Sequence, residues 1–160
     1  MARLVSDFAR RFEASLIFDE GPIAKKQSRI FLLNNKLKNL VAQDFYYAGV
    51  YLGKAKRGVF FPSFTLLAMI GEQGANKVVV DDRTEWLFVC GRDIFKQGII
   101  TVSGSRKKGT HTLVLNKQGE CLGFGRILCN LDAEENKRKV VVKNVSDIGD
   151  FLRRERKRHS

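Results

Sequence analysis

Histidine and cysteine are scarce in this chain, and the scarcity narrows what it can do: two His and three Cys in 160 residues. His111 stands in a strand-like run and His159 next to the end, so a histidine metal cluster or a Ser-His-Asp arrangement lacks its parts. Cys90, Cys121 and Cys129 are odd in number, form no CxxC pair and sit in apolar strand-like runs, which makes them small buried hydrophobes. No apolar run approaches the roughly 18 to 20 residues of a membrane span. The opening MARLVSDFARRFEA mixes charge with apolar residues where a secretory leader would have an unbroken apolar core. The product is therefore expected in the cytoplasm, or in the nucleolus if its source is eukaryotic. There is no nucleophile elbow and no glycine-rich methyl-donor loop after a strand. The adjacent acids Asp81-Asp82 and Glu134-Glu135 point apart on a strand or occupy a loop, poor geometry for shared acid-base work. These absences predict no enzyme, no cofactor and no metal.

What the chain has is core and positive charge. Apolar residues make up 44% and Phe alone numbers twelve, enough for one domain or two small ones. Basic residues number 29 against 17 acidic, a net charge of +12, with a sequence pI near 9.9. Such a balance points to a polyanion. An anionic membrane would want a long basic amphipathic helix, which is missing, so nucleic acid is the expected partner.

Taken in order, Leu4, Val5, Phe8 and Phe12 mark one face of a first helix. Gly21-Pro22 with Lys25 and Lys26 reads as a turn, Ser28 to Leu33 as a strand, and Lys36 to Phe45 as a second helix. Val50 to Ala55 is a strand. A third helix follows, with Pro62 in its first turn. Phe45-Tyr46-Tyr47 and Tyr51 lie close in sequence to Lys54, Lys56 and Arg57, a mixture that single-stranded RNA favours. Core packing is the preferred reading of these rings, with one tyrosine allowed at a protein interface. Gly71 to Asn76 is the best boundary, giving units 1–74 and 75–160. Beyond it short strands dominate: 77–80, 86–90, 99–102, 110–115, 121–128 and 140–142. Gly123-Phe124-Gly125-Arg126 is a bare GxG without a βαβ context, and close backbone packing accounts for it. The charged run Asp132 to Lys139 is assigned no function.

The stretch Glu85 to Ile99, EWLFVCGRDIFKQGI, reads as a strand to Cys90, a break at Gly91, and a short helix closed by Gly98 in the left-handed conformation. On that helix Arg92 and Lys96, four apart, share the wet face. The last eight residues, RRERKRHS, add five basic side chains.

With Glu85 to Ile99, Leu122 to Ile127 and Asp147 to Leu152 read together, the second half resembles a PUA domain, a small RNA-binding pseudobarrel. The whole chain, through WLFVCGRDIFKQGI, CLGFGR and SDIGDFLR, resembles the Nip-seven family of 60S ribosomal-subunit biogenesis factors, and its basic ending is more like an archaeal member's. The resemblance implies an α+β protein: a small amino-terminal pre-PUA domain with an antiparallel sheet, then a PUA-type β pseudobarrel. It also implies a monomeric, non-enzymatic role in pre-rRNA maturation, a leaning towards uridine-rich RNA, and ribosome-assembly partners for the amino-terminal domain. It puts RNA on the short helix and the carboxyl-terminal segment, here Arg92, Lys96, Arg153, Arg154, Arg156, Lys157 and Arg158. Two alternatives stay open: an accessory subunit presenting RNA to a separate modifying enzyme, and a protein-protein adaptor on pre-ribosomes.

Overall fold

The computed structural model describes residues 2–15, 22–40, 45–133, 138–150 and 153. The chain divides into two compact units, Met1–Gln73 and Gly74–Ser160.

The first unit runs α1 (Ala2–Arg10), β1 (Ile23–Lys26), β2 (Arg29–Leu32), α2 (Asn35–Leu40), β3 (Val50–Lys56), β4 (Val59–Pro62) and α3 (Phe64–Glu72). The strands form one antiparallel sheet in chain order, β1-β2-β3-β4. The apolar face of α1 buries Val5, Phe8 and Ala9, and the Phe8 ring meets Phe12 and Phe60 edge-on, each at 5.3 Å. Phe60 of β4 thus marks the sheet face that α1 covers.

Two expectations need correction here. Lys25 and Lys26 belong to a strand; the turn is Gln27-Ser28, where Gln27 takes a positive φ of 54°. Pro62 ends the edge strand β4, where its missing N–H costs no ladder bond, and Ser63 starts α3 by accepting from the Leu66 N–H at 3.1 Å. The rings expected in the core also divide. Phe31 is fully buried and Tyr51 partly so, but Tyr46 and Tyr47 are 78% and 59% exposed. Phe31 fills the space beneath Tyr47, and Tyr46 lies against the Arg29 guanidinium. The second helix is seen from Asn35 to Leu40; residues 41–44 of the expected span lie outside the described residues.

The second unit runs β5 (Lys77–Val80), α4 (Asp82–Val89), β6 (Ile94–Phe95), a 3-10 turn (Lys96–Gly98), β7 (Ile99–Ser103), β8 (His111–Leu115), β9 (Cys121–Ile127) and β10 (Val140–Asp147). Its sheet has the order β6-β10-β9-β8-β5-β7, antiparallel except for the parallel pair β5–β8. The two edge strands are consecutive in sequence, joined by three residues. Laid flat, six strands would separate the edges by about 24 Å, whereas the connection reaches no more than about 14 Å. The sheet must therefore curl, and it forms a half-barrel of the PUA type. Val78, Val80, Phe88, Ile94, Val114, Leu122, Ile127, Leu131, Val141 and Val142 fill it.

Gly123 and Gly125 do serve close packing. A Cβ on Gly123 would lie 2.1 Å from the Ser146 carbonyl oxygen, and one on Gly125 would lie 2.4 Å from Val142 Cγ1. The cysteines are less buried than expected: Cys90 is exposed, and Cys121 and Cys129 are intermediate. Cys90 follows the last turn of a helix, not the interior of a strand, and so reaches the surface.

The largest correction concerns Glu85 to Gly98. Where a strand and then a helix were expected, the order is helix and then strand. Asp81 caps α4, its Oδ1 accepting from the Thr84 N–H at 2.7 Å, and Asp82 and Glu85 occupy the first turn on the side the helix dipole favours. At the other end the Gly91 N–H donates to the Phe88 carbonyl at 2.8 Å and the Arg92 N–H to the Leu87 carbonyl at 3.0 Å, with Gly91 at φ 88°. This is a Schellman end. Gly91 closes a helix instead of breaking a strand. Gly98 is buried beside Thr84, whose Oγ1 would lie 2.0 Å from an added Cβ, and it is needed for that approach.

Candidate nucleic-acid interface

Arg92 and Lys96 consequently do not share a helical face. Arg92 is exposed in the turn after α4, while Lys96 begins the 3-10 turn. The Lys96 N–H donates to the Lys139 carbonyl at 3.0 Å, and its Nζ donates to the Ala133 carbonyl. Beside it is a hollow of about 530 Å³, walled by Ile100, Val102 and Leu131, with Lys96 and Arg106 among its lining residues. That volume falls within the range of small-ligand sites. Arg106 is held by Asp132 at 2.8 Å.

Arg153 has a role the sequence did not suggest. Its guanidinium grips both oxygens of Asp147, at 2.9 and 2.7 Å, and donates through Nη1 to the Val89 carbonyl at 2.5 Å. Asp147 is 3% exposed. Asn144 completes the arrangement: its Nδ2 donates to the Phe88 carbonyl at 2.9 Å and to Asp147 Oδ2 at 3.0 Å, and its backbone N–H donates to Asp93 Oδ1 at 2.8 Å. A Cβ on Gly149 would lie 2.1 Å from the Val89 oxygen, so only glycine lets the chain pass this close. The carbonyls that every helix leaves unpaired at its end are here satisfied by Arg153 and Asn144, and a cation sits where the dipole favours it. The bond to Asp147 raises the Arg153 pKa above its ordinary value. Arg153 is a clasp between β10 and α4, with part of its surface left to solvent. Arg154, Arg156, Lys157 and Arg158 lie outside the described residues.

Turning Glu85 to Cys90 into a helix moves the one tryptophan. With Phe88 packed in the core, Trp86 faces outward and is 67% exposed. Arg83, three residues earlier, and Cys90, four later, lie on the same outer stripe, and both are exposed. Arg92 follows in the turn. The result is a flat, exposed ring with the Arg83 cation on the same stripe, on a helix whose end is pinned. Bases can stack on such a ring and phosphates can meet such cations. The sequence signal for this was Asp81 before an acidic first turn and Gly91 after the apolar run, the start and stop of a helix.

A curled sheet of this order, crossed by one helix after its first strand, defines a PUA-type domain. The chain belongs to the UPF0113 PUA domain family, whose model matches residues 76–156. A UPF0113 protein of Archaeoglobus fulgidus is 34% identical over 116 residues, 69% of this chain and 64% of that protein. Among solved structures, a conserved PUA domain protein from Thermoplasma acidophilum superposes with a TM-score of 0.61 at 21% identity, covering 96% of this chain and 93% of its own. A PUA domain from Aeropyrum pernix K1 gives 0.60 at 17% identity, covering 94% and 83%. These structures agree with this chain in fold. The α+β class and the PUA reading of the second half are thus met.

Proposed function

We propose that this chain is a non-enzymatic RNA-binding factor of ribosome biogenesis, acting in pre-rRNA processing and large-subunit assembly. The observation that carries RNA binding is the exposed Trp86, with Arg83 on the same stripe of the pinned helix and Arg92 in the turn after it, in a PUA-type unit. The place in ribosome assembly is supported by the resemblance to the Nip-seven family. Single-stranded or irregular RNA suits this surface, because a ring on a convex helix can take a splayed base but cannot enter the deep, narrow major groove of an A-form duplex. Preference for uridine-rich stretches is what the resemblance implies. The basic tail, Arg154, Arg156, Lys157 and Arg158, adds phosphate contacts.

Because Trp86 is the sole tryptophan, its fluorescence reports on the site directly. Titration with oligouridylate at physiological salt should quench or shift its emission. Trp86→Ala should weaken binding by about 1–3 kcal/mol, the usual worth of one stacked base. Unchanged emission at saturating RNA, or perfect duplex of equal length competing better than the single strand, would defeat this reading. RNA recovered after crosslinking in cells tests the second part; recovery of pre-rRNA is expected, and its absence sends the biogenesis role back to the two alternatives.

A further inference from the structure

The four-stranded sheet of the first unit sets cations and rings on one face. Residues opposite one another in register project to the same side of a sheet. The pairs Lys26↔Arg29, Arg29↔Lys54 and Lys54↔Phe61 therefore form one row across all four strands. On the same side, Phe31 pairs with Ala24 and with Tyr51. Rings from the segment before β3 lie over this second row: Phe45 and Tyr47 meet the Phe31 ring at 5.9 and 5.1 Å, and Tyr51 meets it at 5.6 Å. The cations lie against rings as well. The Arg29 guanidinium is 4.7 Å from the centroid of Tyr46, Lys26 Nζ is 5.6 Å from that of Phe45, and Lys54 Nζ is 5.7 Å from that of Phe61. The α1-packed residue Phe60 is the sequence neighbour of Phe61 and takes the opposite side.

This face costs the sheet something. Directly opposed like charges destabilise a cross-strand pair, and Arg29 and Lys54 are so opposed. Two large rings, Tyr46 and Tyr47, are left in water although a buried Phe31 anchors Tyr47 in place. Lysine is depleted at the centre of protein interfaces, so cations beside exposed tyrosines fit a protein partner poorly and a polyanion with flat bases well.

We propose that this sheet face is a second binding surface for single-stranded RNA, with bases stacking on Tyr46 and Tyr47 and phosphates meeting Arg29 and Lys54. The proposal rests on the reading that the chain's ligand is RNA, but it uses none of the residues around Trp86. An A-form duplex keeps its bases stacked inside and cannot offer them to these rings.

The test uses the full chain and a 4-thiouridine-substituted oligouridylate, irradiated and mapped by mass spectrometry. Adducts are expected on Tyr46 or Tyr47 of the wild-type protein as well as near Trp86. In titrations, Tyr46→Ala with Tyr47→Ala should weaken binding about five-fold or more, whereas Tyr46→Phe with Tyr47→Phe, which keeps both rings, should bind like wild type. Adducts confined to residues after Gly74, with Trp86 still quenched, would overturn this proposal, leave the RNA reading standing, and return the face to a protein partner. Unaltered affinity of the alanine pair, with its fold confirmed by circular dichroism, would also overturn it. Neither adduct nor quenching anywhere would defeat both readings.

Discussion

In the second unit several basic side chains are held by carboxylates: Arg153 by the buried Asp147, Arg106 by Asp132, and Lys117 by Asp82. The four strands of the first unit have five basic residues and no acidic one, and three of those cations, Lys26, Arg29 and Lys54, sit against rings. Yet the units look alike in bulk: residues 1–73 carry 11 basic and 6 acidic residues, a net +5, and residues 74–160 carry 18 and 11, a net +7. Net charge indicates a polyanion and does not locate it. Where carboxylates are distributed among the cations, part of the charge is spent on holding the fold together. Where cations lie against rings instead, as Arg29 and Lys54 do, positive charge and aromatic faces are presented together.

The most severe way to test the contrast is to break one unit. Phe88→Ala removes a fully buried ring from the half-barrel core and should cost about 3–5 kcal/mol. If the units fold separately, hydrogen exchange should accelerate across 77–147 and stay unchanged across 22–73. Equal loss of protection in both would show that they unfold as one and would blur the comparison.

A smaller effect separates holding charge from binding charge at the chain end. Arg153→Ala leaves the Asp147 carboxylate buried with Asn144 as its remaining side-chain hydrogen-bond partner among the described residues. Because Arg153 is partly solvated, the cost should be about 1–3 kcal/mol, below that of severing a wholly buried pair. Replacing Arg154, Arg156, Lys157 and Arg158 by Gln should leave denaturant stability unchanged. It should also lower the slope of log affinity against log salt by about 0.7 for each phosphate that is no longer neutralised. Should Arg153→Ala prove neutral in stability and match its four neighbours in salt slope, the clasp would be no clasp and Arg153 would join the binding set.

How far the sequence revealed these regions follows from which local signals compete. Strands β5, β7, β8 and β9 were legible because short apolar or alternating runs stood between turn residues. Helix α1 was legible from its apolar stripe. The run Trp86 to Cys90 was not, since a short, unbroken apolar stretch has no period to tell a buried strand from a helix. The caps decided it: Asp81 at one end and Gly91 at the other. That one misreading put Trp86 inside and placed Arg92 with Lys96 on a helix that does not exist. In the first unit Lys25 and Lys26 hid β1, because a solvent-facing edge strand tolerates lysine as readily as a turn does. Tyr46 and Tyr47 read as core since most rings are, and only the folded sheet shows that Phe31 occupies the place beneath Tyr47 and that Tyr46 lies on Arg29. The role of Arg153 depends on partners 64 and 6 residues away in sequence, which no local pattern encodes.

The smallest effect concerns the cap that aims Trp86. Asp81 accepts the Thr84 N–H, and that backbone hydrogen bond is the main reason its carboxyl is held below the ordinary carboxylate range, with burial opposing it. A depressed folded-state pKa contributes stability that is present above the unfolded value and is lost as pH falls through the folded one. Acidification below about pH 4 should therefore remove the contribution of the cap, and raising the pH from 5 to 8 should not alter it. Asp81→Ala should cost about 1 kcal/mol at neutral pH, and Asp81→Asn, which still offers an oxygen, much less. The group is largely solvated, so the pH-dependent part should be smaller than the full cost of the alanine variant. Urea unfolding of wild type and Asp81→Asn at pH 3 and pH 7 checks the sign: the two curves should approach each other on acidification. A gap that widens at low pH would mean that another carboxylate governs the acid response of this unit, and that α4 is fixed by the Arg153 clasp alone.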